Sequence, residues 1–352
     1  MNLSRLQAHF SPPVQVIFDT DPGIDDAMAL YLLARHSSLR LRAVTTVFGN
    51  ASLAVTTANA QALCEFFGLQ VPVAAGAAGP LHAHAEREFS VHVHGDDGLG
   101  GMAALARAAL PADSAPAALD PRPAYQLICD MVNAEPGTLT LIAVGPLTNL
   151  ALALLHDPSI AAKVHQVIVM GGAFGTGGHS GNVSPVAEAN VINDPESADL
   201  VFTADWPVVI VGLDVTHEVV MTEAYLSALQ GRGGKFGDFI WQATRHYQDF
   251  YLACDGLQGV YSHDTSAVAY AIDPAAFTLR SGPVRVVTEG IAVGQTIQDH
   301  RQRAVDSDDS SVSSVAPTPW TRRPPQRVCV AVRAERVLDL FSQAFNADRL
   351  TA

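Results

Sequence analysis

Cysteine and basic residues are both scarce in this chain of 352 residues. The four cysteines, at positions 64, 129, 254 and 329, form no CxxC pair and no cysteine–histidine cluster. That argues against a zinc site and against a disulfide framework. Lys and Arg number 21 against 35 Asp and Glu, a formal charge of −14. A generic nucleic-acid binder would carry a basic face, so no nucleic-acid partner is expected. A small ligand without phosphate is compatible with this balance. Long apolar runs are missing too: none reaches the roughly 18 residues that would span a bilayer, so no membrane association is expected. The opening stretch MNLSRLQAHFSPP lacks the apolar centre of a signal peptide. A cytoplasmic protein is the expectation.

What the chain does have is an alternation of short apolar runs with helical patterns. Residues 14–19 (VQVIFD), 41–47, 138–144 (TLTLIAV), 167–170 and 208–213 read as buried strands. Residues 25–36 read as a helix with Ala27, Leu30 and Ala34 along one side, and 52–67, 147–155, 196–202 and 223–229 as further helices. Continuous apolar strands suit a parallel sheet covered on both faces. The βαβ rhythm predicts an α/β fold, a single large domain with a mainly parallel central sheet flanked by helices. That domain is expected over residues 14–350, after an N-terminal extension at 1–13. Two stretches interrupt the rhythm. Residues 171–193 are rich in glycine and polar residues, and a long stretch of that kind in a compact domain goes with function or disorder. Residues 299–327, with SDDSSVSS and several prolines, read as a mobile excursion before a strand at 328–332 and a helix at 334–345. Segments from about residue 280 onward are expected on the same sheet.

The most informative segment is VIFDTDPGIDDA, residues 16–27. Asp19, Asp21, Asp25 and Asp26 fall within eight residues at the C-terminal end of the first strand, the end beyond which open α/β sheets bind ligands. Like charges so crowded repel strongly. A hard divalent cation would relieve them, because calcium and magnesium select oxygen ligands. Pro22-Gly23 supplies a tight turn across which Asp21 and Asp26 can converge. Helix capping is the competing explanation, and it accounts for one or two of the four acids. A haloacid dehalogenase-type phosphatase also starts strand–Asp-x-Asp, with Asp19 as nucleophile. It expects Thr or Val two residues after the second Asp, where this chain has Gly23.

The turn DTDPGIDDA resembles the signature of the inosine–uridine-preferring nucleoside hydrolase family, and six further segments follow in that family's order. They are residues 45–50 (TTVFGN), 94–100 (HGDDGLG), 144–150 (VGPLTNL), 170–190 (with MGG and GNVSPVAEAN), 213–216 (LDVT) and 262–264 (SHD). The resemblance covers most of the chain. It implies a mixed, mainly parallel α/β sheet and hydrolysis of the N-glycosidic bond of ribonucleosides to ribose and free base, through an oxocarbenium-like transition state. It also implies a tightly held calcium ion, a small-molecule ribonucleoside as substrate, and a homo-oligomer, either dimer or tetramer. A catalytically inactive nucleoside- or ribose-binding protein is the non-enzyme alternative. The presence of the whole set of site residues speaks against it.

Residue by residue, the resemblance implies calcium ligation by the side chains of Asp21, Asp26 and Asp264 and by the carbonyl of Val144. Asp21 is implied as the base that takes a proton from the attacking water. Asp25, Asn50, Asn182, Glu188 and Asn190 are implied as sugar-binding positions. The chemistry agrees: a divalent ion lowers the pKa of water, carboxylates and carbonyls suit a sugar gaining positive charge, and Asn both donates and accepts. If the chain around 188–190 is extended, Glu188 and Asn190 share one side. Met170 is implied as a backbone contact to the sugar, core packing being its simpler role. His263 is implied as the acid that protonates the leaving base; a plain helix cap is the alternative for Asp264 beside it. His94 is a second base-pocket candidate, or a solvated loop histidine. His82, His84, His92, His179, His217 and His246 carry no such implication and are expected to be structural or exposed. Asp194-Pro195-Glu196 reads as a helix cap with proline at the first helical position. The aromatics of residues 247–251 (YQDFY) either close over a nucleobase or simply pack.

Overall fold

The computed structural model describes residues 12–82, 89–108, 119–301, 320 and 323–346. Most of the expected N-terminal extension, most of the 299–327 excursion and His84 lie outside the described residues. The strands are β1 (Val14–Thr20), β2 (Leu39–Thr46), β3 (Val73–Ala75), β4 (Leu139–Ala143), β5 (Gln166–Met170), β6 (Val208–Val211), β7 (Val220–Thr222), β8 (Gly259–Tyr261), β9 (Phe277–Gly282), β10 (Val284–Val286), β11 (Thr296–Gln298) and β12 (Gln326–Val332). The helices are α1 (Ile24–Arg35), α2 (Leu53–Phe66), α3 (Val91–His94), α4 (Ala103–Ala108), α5 (Ala124–Ala134), α6 (Thr148–His156), α7 (Ala189–Asn193), α8 (Pro195–Thr203), α9 (Leu213–Thr216), α10 (Glu223–Gln230), α11 (Lys235–Asp255), α12 (His263–Ile272) and α13 (Ala334–Ala344).

Eight strands form one sheet in the order β3-β2-β1-β4-β5-β6-β12-β9. Every neighbouring pair in it is parallel except β12–β9, so the expected mainly parallel sheet is present. Side chains alternate along each strand and feed two core layers. Val16 and Phe18 pack with Ile24, Met28 and Leu32 of α1 on one face. Ile17, between them, packs with Leu127 of α5 and Leu150 of α6 on the other. Burial on both faces is why these strands read as unbroken apolar runs.

The topology places a crevice. β1 lies between β2 and β4, so the chain leaves β1 toward one edge of the sheet and returns on its other side. Ligands in such sheets bind beyond the strand ends at this reversal. Asp21 follows β1 there, and Val144 follows β4, its N–H donating to the Asp19 carbonyl at 2.9 Å.

Three expectations need correction. β12 and β9 join the main sheet, but β10 and β11 pair only with each other, antiparallel. The glycine-rich stretch 171–193 contains a short 3-10 turn (Thr176–Gly178) and α7. Within it, the chain at 188–190 is not an extended strand. Glu188 is the N-cap of α7, its carboxylate taking the N–H groups of Asn190 and Val191, and that bonding starts a helix instead.

Candidate active site

The acidic turn is buried. Asp21 and Asp26 are each 1% exposed, Asp264 is 3% exposed and Asp25 is 6% exposed. One oxygen each of Asp25, Asp26 and Asp264 lies within 4.8 Å of the others. Asp21 is outside that triad, yet near enough for mutual repulsion with Asp26 and Asp264. Its carboxylate sits in a slot between two loops. A Cβ on Gly49 would lie 2.0 Å from Asp21 Oδ2, and one on Gly145 would lie 2.6 Å from Oδ1, so any side chain at either position would expel the carboxylate.

Hydrogen bonding to these acids is sparse. Asp21 Oδ2 accepts the Asn50 N–H at 2.7 Å, while Oδ1 has no partner. Asp25 Oδ2 accepts a long bond from the Tyr247 hydroxyl, 3.4 Å, and its Oδ1 is also unpartnered. Asp26 is better supplied, taking the Thr20 hydroxyl, the Gly23 N–H at 2.8 Å and Asn50 Nδ2 at 3.1 Å. Capping therefore explains part of Asp26: Gly23 is the N-cap of α1 and Asp26 answers its N–H. It does not explain Asp21 or Asp25. Nor does it explain Asp264, because the N-cap of α12 is Ser262 and no side-chain cap bond forms there.

Burial, then repulsion from Asp26, pushes Asp21 well above the usual carboxylate range. Burial, then Asp25, Asp26 and Asp21, does the same to Asp264. Burial and the Asp25 charge raise Asp26 to about 6. Among the described residues, none of the four is ion-paired to a lysine or arginine; the nearest basic group is His94 Nδ1, 4.0 Å from Asp25. Buried oxygens that are unpaired and mutually repelling match the donor chemistry of a hard divalent cation.

Asp19 has a different fate. It accepts from Thr45 Oγ1 at 2.5 Å and Asn149 Nδ2 at 2.8 Å, and so ties β1 to β2 and α6. At 1% exposure it is a cross-link inside the sheet rather than an accessible nucleophile.

A hydrogen-bonded chain closes another wall. Tyr247 and Tyr251 lie one turn apart on α11 and are buried. The Tyr247 hydroxyl donates to Asp25, and the Tyr251 hydroxyl donates to Tyr247 at 3.0 Å. With both hydroxyl protons spent, the 2.8 Å contact between Tyr251 and His263 Nε2 requires Nε2–H as donor. Nδ1 then accepts from the Thr216 hydroxyl at 2.8 Å. Burial pushes His263 well below its ordinary range, so its imidazole is neutral. The aromatics of α11 thus neither stand open nor merely pack: they link His263 to Asp25.

The structure gathers most of the other expected residues. Asn50 spends its amide on the acids. Asn190 Nδ2 donates to the carbonyls of Val144, at 2.9 Å, and Met170, at 3.2 Å. Glu188 accepts three backbone N–H groups, from Gly172, Asn190 and Val191, and its charge acts on Asp264. His94 is buried, not solvated, and accepts the Ile24 N–H at 3.2 Å. Asn182 stands apart: it is exposed, and its Oδ1 takes the Ala189 N–H at 3.0 Å. Asp194 caps α8 as expected, with Pro195 following. Two further residues lie beside the site: Asp214, of the LDVT segment, and His217, expected to be structural or exposed. Asp214 accepts the N–H groups of Phe174 at 2.9 Å and Thr176 at 2.6 Å, anchoring the glycine-rich stretch. His217 stacks on Tyr261 at 4.4 Å, with its ring 5.5 Å from that of His263. Its place directly after the LDVT segment was the available signal.

The geometry has counterparts. Residues 16–339 match the model of the inosine-uridine preferring nucleoside hydrolase family. A probable uridine nucleosidase 1 of Oryza sativa subsp. japonica is 37% identical over 334 residues, 95% of this chain and 97% of that one. An inosine-uridine preferring nucleoside hydrolase of Leishmania major is 40% identical over 292 residues, 82% of this chain and 88% of that one. Among solved structures, a plant nucleoside hydrolase superposes with a TM-score of 0.84 at 37% identity, covering 96% of this chain and all of its own. The chain belongs to the inosine-uridine preferring nucleoside hydrolase family and is a nucleoside hydrolase.

Proposed function

We propose that the chain cleaves the N-glycosidic bond of ribonucleosides to ribose and free base, with calcium held by the side chains of Asp21, Asp26 and Asp264 and the carbonyl of Val144. The observation that carries this reading is the buried acid group at the sheet's reversal, left short of hydrogen bonds and of cationic neighbours. The residues suit such an ion: all their donors are oxygen, and each acid is raised by desolvation that a double positive charge would offset. When bound, the ion would lower the pKa of a water and hold sugar hydroxyls beside it.

The protein's own groups do the rest. Asn50 occupies Asp21 Oδ2, which leaves Oδ1 to accept the proton of the attacking water. Positive charge developing on the sugar meets Asp25 and Glu188, whose carboxylates are fixed before substrate arrives. Asn50 and Asn190, whose NH2 groups are engaged, offer their amide oxygens to ribose hydroxyls, Asn182 adds its amide from the exposed rim, and the Met170 carbonyl lines the same wall as Asn190. His263 delivers a proton toward the leaving base. The Tyr251–Tyr247–Asp25 chain orients its ring. His94 lies on the base side. A cytoplasmic homo-oligomer, dimer or tetramer, belongs to the same proposal.

Ribose release from a panel of purine and pyrimidine nucleosides, with and without a chelator, tests the reading. Turnover should vanish on chelation and return with added calcium. Release unaffected by thorough chelation would remove the metal from the account, and no release from any nucleoside would remove the function.

A further inference from the structure

We infer that Asn59 is a positioning residue that fastens the loop carrying His94 onto the turn carrying Asp21, Asp25 and Asp26; this deepens the hydrolase reading and rests on it. Asn59 lies in the middle of α2 and is fully buried. Its Nδ2 donates to two carbonyls from separate segments: Pro22, at 3.2 Å, inside the acidic turn, and Asp97, at 2.8 Å, inside the loop that follows His94. Its Oδ1 has no partner. A buried acceptor left unmade costs stability, so an amide here is retained for its donors.

The loop is compact and seated directly on the turn. The Asp97 carboxylate takes the N–H groups of Leu99, Gly101 and Ala103, each at 2.9 Å. Gly98, at φ +76°, comes so close that a Cβ there would lie 3.0 Å from Asn59 Nδ2 and 3.4 Å from the Pro22 carbonyl. A second fastening lies at His94, whose Nδ1 accepts the Ile24 N–H at 3.2 Å. A Cβ on Gly23 would lie 2.6 Å from that nitrogen. The Ile24 N–H belongs to the first turn of α1, where no intrahelical acceptor exists, so its protection depends on where the loop holds the imidazole. Asn59 fixes the loop, the loop fixes His94, and His94 faces Asp25.

Asn59→Asp tests this, because the isosteric carboxylate offers an acceptor to two carbonyls in place of donors. Amide exchange at Ile24 should quicken by at least about tenfold, while Leu30 further along α1 keeps its wild-type rate. kcat/KM for ribose release should fall about tenfold or more. In a His94→Ala background the same substitution should cost less than about threefold, since both act through one ring. Equal losses in the two backgrounds, or wild-type exchange at Ile24, would overturn the proposal. So would a lowered melting temperature with kcat/KM unchanged, which marks a purely structural amide. If Asn59→Asp does not fold, Asn59→Ser, with a single hydroxyl donor, takes its place in the same measurements. Ribose release by the wild-type enzyme keeps the two readings apart: its absence defeats the hydrolase assignment, whereas exchange at Ile24 decides the fastening by itself.

Discussion

Two groups of buried aspartates lie in this molecule, and they are treated in opposite ways. Asp194 is 0% exposed and fully served: it accepts the N–H groups of Leu81 and Ser197 and the hydroxyls of Thr148 and Ser197. Asp214 likewise holds two backbone N–H groups. Asp21 and Asp25 are buried to a similar degree, yet each has an oxygen with no partner. Burying a carboxylate is tolerable when donors replace the lost water. Asp19 also has one unpartnered oxygen, but two donors tie its other oxygen into the sheet; where several acids lacking donors gather together, the fold has left room for something else to supply the compensation. The first group builds the scaffold and the second waits for ligands.

The contrast can be tested from the larger effects to the smaller. Asp21→Ala should lower kcat/KM by about 10²–10⁴, the usual worth of a general base, measured as ribose release. Its urea midpoint without metal should stay at or above that of the wild type. Asp194→Ala should do the reverse, costing about 3 kcal/mol in urea unfolding as several buried donors lose their acceptor. A destabilised Asp21→Ala or an unharmed Asp194→Ala would erase the distinction. Tyr251→Phe cuts the chain between His263 and Asp25. It should reduce turnover of purine nucleosides about tenfold, with little effect on aryl ribosides whose leaving groups need no proton. Equal losses on both would argue against this orienting role.

The smallest effect concerns pH. In the folded protein Asp19 is raised to about 7 and Asp26 to about 6, both first by burial, from an ordinary 3.8. The native state then holds more protons than the unfolded chain above pH 3.8. The stability these acids contribute is complete below that pH and drains away as pH climbs through their folded values. Metal-free protein should accordingly melt a few degrees lower at neutral pH than at mildly acidic pH. Added calcium should raise the melting temperature more at neutral pH than in acid. Calcium-induced shifts equal at both pH values would contradict this.

Much of this was legible in the chain. The apolar runs at β1, β4, β5 and β6 announce strands covered on both faces, and the Asp-rich turn announces a site because four acids within eight residues exceed what capping explains. Short or edge elements were not legible: β3 is three residues long, and β9 alternates weakly because it lies at the sheet's edge. The tyrosine chain was hidden for another reason. Tyr247 stands 222 positions from Asp25, and helical periodicity marks a buried face without naming what it meets. Asn59 gave no signal at all, since an isolated Asn in a helix is ordinary chemistry until its partners are known, and Asp214 stood in the LDVT segment with no role attached to it. Asn182 illustrates the opposite case: its motif is plain in the sequence, while its exposed side chain stays outside the buried network.

The far end of α1 has a bearing on how the molecule is made. Its Tyr31 packs against Phe345 with ring centroids 4.7 Å apart, and Tyr31 and Arg35 both donate to the carbonyl of Ala344. The helix whose opening turn bears Asp25 and Asp26 is therefore completed by residues more than three hundred positions later. On the ribosome α1 emerges more than three hundred residues ahead of the segment that closes its far end, and until then Tyr31 has Phe67 and Phe236 but not Phe345 beside it. The helix that bears two of the site's acids is thereby finished only once that distant segment has been made.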